Sequence, residues 1–515
     1  GLTALPGLID AHVHTFGNAQ RDALRFGVTT VLDMFTDPAN LAGAREAREG
    51  YEATADAALF SAGMLATVDG GHGTQFPIDV DTLEDPSEAT AWVARRVAEG
   101  SDYIKLVYMP EWAGRPSLDL ATASAVIDAA HTAGLQAVAH IATQQGARQM
   151  LEAGIDGFVH IFADSIVEEE FLAEARERGV FVVPTLAVIA SAGGESLGPA
   201  LLEHAGLGER VNDLARTNLR QTFGSFRSPI FDLEKALTNV RRFHEAGVPV
   251  LAGSDAPNPG TAHGISLHGE LRLLVRAGLS PAEAIAAATH LPAEAFGLAG
   301  RGRLEEGARA DLLMVAGDPT RTIESTGDIH SVLRNGFIAG EALPAASESV
   351  VLAGVLSDLD TGLDGADGLT WSATSDELMG GSSDAALTLL DEATTSRGGT
   401  LGVRATVTGA FAYPWAGAFL GFDAPDRSAD LSAATAVRFS VRGTPARYRL
   451  MMFEQGSMRT PPTVAFAVTE QWQQVEIPLS DFVNFTAARF VGMAFVSPDA
   501  PGEYAFALDD VQLVP

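Results

Sequence analysis

The sequence predicts an α/β fold over about its first 300 residues and an all-β fold toward its carboxy end. Three observations carry that reading. In the first part, short β-rich runs alternate with helical stretches of period 3.6, the pattern of parallel strands joined by crossover helices. After residue 346 the composition shifts to Gly, Ser, Thr and Asp turns between short alternating strands, the pattern of a sandwich. Third, polar residues able to bear chemistry fall at the ends of the strands of the first part.

The elements follow in order. After the Pro6-Gly7 turn, Leu8 to Ala11 reads as a strand, and "GLIDAHVH" is the first of eight such runs. The others are "VTTVLDM", "AALFSAG", "DYIKLVY", "LQAVAHI", "DGFVHIF", "VFVVPTL" and "VPVLAGSDA". Between them lie amphipathic stretches such as "PSEATAWVARRVAEG" and "LATASAVIDAAHTAG", which end in Gly as helix C-termini prefer. Eight strand-helix units in about 250 to 300 residues have the size and rhythm of a TIM barrel, assigned here to residues 1–300. A doubly wound open sheet competes, but would not by itself place polar residues at the ends of five strands. "RGRLEEGARADLLMVAGDP" and "HSVLRNGFIAGE" then read as short strands of a partial small β-sandwich over 301–345. "AVRFSVRG", "RYRLMMFE", "QQVEIPL" and "YAFALDDVQLV" belong to a sandwich over 346–515, with Ser347 to Gly365 expected as the linker.

Composition narrows the function. A net charge of -32 argues against nucleic acid or an anionic membrane surface as partner, since both attract basic patches. No apolar run approaches the roughly 20 residues that span a bilayer. The chain has no cysteine, so any metal must be held by His, Asp, Glu or a modified side chain. The first strand begins within a few residues of Gly1, so a longer precursor is expected, with a leader and further sandwich strands ahead of it. A secreted or periplasmic address is favoured over a cytoplasmic one; oligomeric state is left open between a single chain and a homo-oligomer.

The polar strand ends form one set. Residues i and i+2 of a strand share a face, so His12 and His14 sit side by side, a natural metal chelate. Such a pair is also simply two polar residues at a strand end. Lys105 lies in the fourth strand, His140 ends the fifth, His160 the sixth and Asp255 the eighth. In a barrel these ends converge on one mouth, where chemistry sits. Only Lys105 and Lys235 are lysines among 34 basic residues, so a lysine kept in an apolar strand stands out against the alternative of a snorkelling amine. His72, in the Gly-rich "DGGHGTQ", and Tyr108 are candidate substrate contacts, against an exposed turn histidine and a rim tyrosine. His263 and His268 read as supporting residues rather than ligands.

"DAHVH", "YIKL", "VAHIA", "FVHIF", "GSDAP" and "GGHG" together resemble the amidohydrolase superfamily over residues 4 to 341, in its imidazolonepropionase-like and Xaa-Pro or Xaa-Arg dipeptidase branch. The resemblance implies two divalent metal ions, zinc expected. His12, His14 and Asp255 would hold one and His140 and His160 the other, with Lys105 carbamylated to bridge them. Imidazolonepropionase proper lacks this lysine, which shifts the resemblance toward the peptidases. It implies hydrolysis of an amide bond in a dipeptide, N-acyl amino acid or similar small molecule, by a hydroxide shared between ions roughly 3.5 to 4 Å apart. Asp255 would shuttle the proton, and His72 would contact substrate. Lactone or phosphoester hydrolysis on the same site is the alternative chemistry, and a non-catalytic glycan- or partner-binding barrel the alternative class. "DELMGGSSDAAL", "RYRL" and "WQQVEIPLSDF" resemble the complex I intermediate-associated protein family, implying a galactose-binding-like jelly roll over about 355 to 513, with a glycan or protein as partner. Trp371, Trp415 and Trp472 read as core in preference to a stacking platform.

Overall fold

The computed structural model describes residues 1–41, 43–76, 80–111, 114–223, 231–339, 350–360, 362–376, 383–391, 399–408, 414–422, 427–454, 461–482, 485, 487 and 490–515, with 213–214 and 391 as backbone only. The chain divides into two units, Gly1–Gln75 with Asp79–Leu343, and Phe76–Ile78 with Pro344–Pro515. The boundary expected between 345 and 346, and residues 377–382 of "DELMGGSSDAAL", lie outside the described residues.

In the first unit β1 (Leu2–Pro6) precedes a series of parallel strands: β2 (Leu8–Val13), β3 (Val28–Asp33), β4 (Ala58–Ser61), β5 (Ile104–Val107), β6 (Ala137–His140), β7 (Gly157–Phe158) and β8 (Phe181–Val182). β2 to β4 pair in order, as do β5 to β8. Parallel bridges Ala66 to Leu106, Val182 to Val250 and Val13 to Ala256 link the two sets into a TIM-barrel-like ring. Every residue of β2, β3 and β5 is buried, as expected of parallel strands covered on both faces. Ile9, Leu32, Val138, Val159, Phe181 and Leu251 form a cluster from six positions around the ring.

The segment expected as the eighth strand, 248–256, is an extended run held by isolated bridges rather than a regular strand. Pro249 has no N–H to give to a ladder. The segment is still tied on both sides, by Leu251 N–H to Val182 O (2.8 Å) and by Asp255 N–H to His12 O (2.8 Å). Gly253 permits this closeness: a Cβ there would stand 2.4 Å from Val183 Cγ1 and 2.8 Å from His12 Cβ.

The helix Ala89–Glu99 shows how the crossovers are delimited. A capping box of Asp85 and Glu88 precedes it, and Gly100, at φ 97°, closes it. Its buried face carries Trp92, Val93 and Arg96, with the Arg96 guanidinium 4.5 Å from the Trp92 ring centre. The chain then turns directly into β5, which bears Lys105.

The small sheet has the order β1, β9 (Leu312–Ala316), β10 (Ile329–Arg334), β11 (Phe337–Ile338), all antiparallel. Leu2–Pro6, expected within the barrel segment 1–300, thus belongs to this sheet. The register Leu2 to Ala316 through Pro6 to Leu312 fixes it there.

The second unit is all-β. Among the described residues one sheet runs through Val350–Val351, Ala429–Asp430, Phe490–Val496, Ala416–Phe422 and Leu369–Ser375, with Ala446–Glu454 and Thr463–Val468 attached. The other runs through Asp384–Asp391, Gly399–Val407, Gly502–Val514, Ala436–Gly443 and Gln473–Pro478, with Val355–Ser357 attached. The expected linker Ser347 to Gly365 is corrected by this arrangement: its described part supplies two strands, and Leu352, Leu356 and Leu359 are buried in the core. Trp371 packs in that core, and Trp415 is buried in a smaller cluster. Trp472 departs from the expectation; it is half-buried, with Arg442 over its ring at 5.0 Å.

Candidate metal centre

The end of β2 places His12, fully buried, and His14, at the rim, on one side of the strand with ring centres 5.5 Å apart. Both Nε2 atoms face Asp255 Oδ1, at 3.4 Å from His12 and 3.2 Å from His14. One donor atom from each of the three residues lies within 4.8 Å of the others. Asp255 adopts a left-handed backbone, φ 51°, unusual for a residue other than glycine. The neighbouring Ser254 is fixed by Asp10, whose carboxylate accepts its N–H (2.9 Å) and its hydroxyl (2.6 Å). Burial pushes the Asp10 carboxyl up to about 7.

The second pair stands beside this triplet. The His160 ring centre is 4.7 Å from His12 and 4.2 Å from His140, and His72 is 4.9 Å from His140. Burial pushes the His12, His140 and His160 imidazoles well below their usual range, leaving them neutral, the form that ligates. Burial also lowers His72 to about 4. Lys105 is almost fully buried; burial brings its ammonium down to about 7, against the opposing charges of Asp255 and Asp33.

Tyr108 is buried, and its hydroxyl donates to Gln149 Oε1 (2.9 Å), so the phenol oxygen keeps only lone pairs for another partner. His263 Nε2 meets the carbonyl of His14 at 3.0 Å. His268 is buried between Phe26 O and Thr326 Oγ1.

Sequence reasoning missed the buried carboxylates under the site. Asp33, closing β3, accepts from Thr15 N–H (2.6 Å), Thr15 hydroxyl (2.9 Å) and Ser61 hydroxyl (2.6 Å), which ties down the loop leaving His14. Glu270 accepts backbone N–H groups of Leu186 and Ala187. A signal existed for Glu270: it lies in line with Leu267 and Leu274, on the core-facing stripe of the helix Ile265–Ala277.

The donors fit a divalent cation. Neither ring nitrogen of His12 and not Asp255 Oδ1 has a hydrogen-bond partner, although all are buried. Buried polar atoms are normally satisfied, and imidazole nitrogen with carboxylate oxygen is the donor set of zinc-like ions. His140 and His160 supply two more nitrogens but no carboxylate of their own.

Imidazole and carboxylate donors gathered at the carboxy ends of parallel strands make a constellation able to hold a divalent cation. Residues 3–342 match the Amidohydrolase family, and the chain belongs to that family. Residues 363–496 match Complex I intermediate-associated protein 30. An uncharacterised protein of Mycobacterium tuberculosis is 28% identical over 327 residues, 61% of this chain and 79% of its own length. An imidazolonepropionase of Deinococcus deserti is 41% identical over 87 residues, 17% of this chain and 22% of that protein. Among solved structures, a Xaa-Pro dipeptidase with bound methionine shares the fold at a TM-score of 0.51 and 22% identity, over 65% of this chain and 86% of that one. A prolidase complexed with N-methylphosphonate-L-proline does so at 0.51 and 21%, over 66% and 87%.

Proposed function

We propose that this amidohydrolase cleaves an amide C–N bond in a dipeptide or N-acyl amino acid with two divalent ions, zinc being the expected metal. His12, His14 and Asp255 would hold one ion and His140 and His160 the other, and Lys105, once carbamylated, would supply a carboxylate to both. The observation that supports this best is the set of buried ligand atoms on His12 and Asp255 that make no hydrogen bond. A second is that Lys105 is buried on the strand paired with the one that ends in His140. Addition of CO2 to the Lys105 amine, with loss of one proton from nitrogen, would supply a carboxylate there.

Such ions would polarise a carbonyl and bring the pKa of water down to about 7, so that a nucleophile is available at neutral pH. The protein's part is positional. Asp255 takes a proton from the attacking water at a carboxylate oxygen and gives it to the leaving nitrogen, so the amine departs neutral as the acid forms. His72, beside His140, and Tyr108, through its lone pairs, contact the substrate. The barrel proper is read as an eight-unit TIM barrel, and the second unit as a jelly roll.

Metal analysis and turnover on dipeptide, N-acyl amino acid, lactone and phosphotriester panels test the proposal. We expect two ions per chain and hydrolysis of the amide panel. Lys105→Ala and Asp255→Asn should abolish turnover with the far-UV spectrum unchanged. Full activity in either variant, or turnover confined to the lactones or phosphotriesters, overturns it.

A further inference from the structure

Beside the His140 and His160 pair runs a chain of hydrogen bonds that the proposed reaction does not use. Glu270 is fully buried, and its two carboxylate oxygens accept the N–H groups of Leu186 (2.9 Å) and Ala187 (2.7 Å). These residues open the helix Leu186–Ala192. Thr185, just before them, has φ 52°, a left-handed backbone that a β-branched side chain disfavours. Such a conformation persists only where the surroundings hold it. Glu270 fastens the two peptide groups that follow.

The Thr185 hydroxyl has one proton, and it donates that proton to Pro184 O (2.8 Å). Toward His160 Nδ1, 2.7 Å away, it can offer only a lone pair. With the Thr185 proton on Pro184 O, His160 Nδ1 is the donor of that contact and carries the ring proton, which leaves the Nε2 lone pair for a ligand.

We propose that Glu270 is a positioning residue: through the Leu186 and Ala187 amides it holds Thr185 in the conformation that fixes the Nδ1–H tautomer of His160. The consequence for metal binding rests on the site proposed above; the tautomer does not. Asp255 and the His12 and His14 pair take no part in these hydrogen bonds, so the larger effect falls on the ion that His140 and His160 would hold.

The test joins two readouts on the full chain. Nitrogen-15 NMR of the metal-free, histidine-labelled protein, with the His160 signal identified by its loss in His160→Gln, reads the tautomer. Zinc titration by calorimetry reads the affinity of each ion. Wild type should show His160 protonated at Nδ1 and should bind two ions. Glu270→Gln offers an N–H2 donor where an acceptor is needed, and Thr185→Val removes the hydroxyl. Each should lose the tautomer preference and weaken one ion by about 10- to 100-fold, more than the other. Thr185→Ser should restore both. A wild-type His160 protonated at Nε2, or two ions bound with unchanged affinity in both variants, overturns the positioning role alone. A wild type that binds no divalent ion overturns it together with the proposed function.

Discussion

Asp10 holds Ser254 at two points, its carboxylate accepting both the backbone N–H and the hydroxyl, and both residues are fully buried. Asp10 lies two residues before His12 and Ser254 one before Asp255, so this pairing locks together the two chain segments that meet at the proposed metal centre. Ser254→Ala should destabilise the chain by about 1–3 kcal/mol, because it leaves a buried carboxylate oxygen without its donor. Urea denaturation measures the loss. A change below the error of the midpoint would show that the pairing does not hold the segments.

Gly253 is where His12 and Val183 come closest to the backbone of the 248–256 segment. Gly253→Ala inserts a methyl at 2.4 Å from Val183 and 2.8 Å from His12. The overpacking should cost about 1–3 kcal/mol and displace His12. Thermal unfolding and metal content should therefore fall together; full metal content in a destabilised variant would separate packing from the site.

Metal removal should lower stability. Ions that bind the folded chain and not the unfolded one add about 2.7 kcal/mol at a free concentration a hundred times Kd. Dialysis against a chelator should lower Tm and abolish turnover. Zinc with bicarbonate should restore both, zinc without CO2 only in part, because the Lys105 amine would lack its carboxylate.

In the second unit Trp371 and Trp472 should behave differently. Trp371 is buried against Phe495, with its indole N–H donating to Ser357 Oγ at 3.0 Å, whereas Trp472 is half-buried. Trp371→Ala should cost about 3–5 kcal/mol, and Trp472→Ala distinctly less. Denaturation followed by tryptophan fluorescence in each variant checks the contrast; equal losses would contradict it.

The sequence by itself determined the order of the strands and the place of the metal-binding candidates. Strand periodicity put His12 and His14 on one face, and the ends of four of the expected strands do bring His12, His14, His140, His160 and Asp255 beside one another. What only the tertiary structure decided was the support beneath them. That Leu2–Pro6 joins the small sheet, that 248–256 is bridged rather than a regular strand, and that Asp10, Asp33 and Glu270 hold the site from below are not local facts. They depend on pairing between positions up to 314 residues apart. A carboxylate on a core-facing position looks like an error in the pattern until the fold supplies the N–H and hydroxyl groups that make its burial stable.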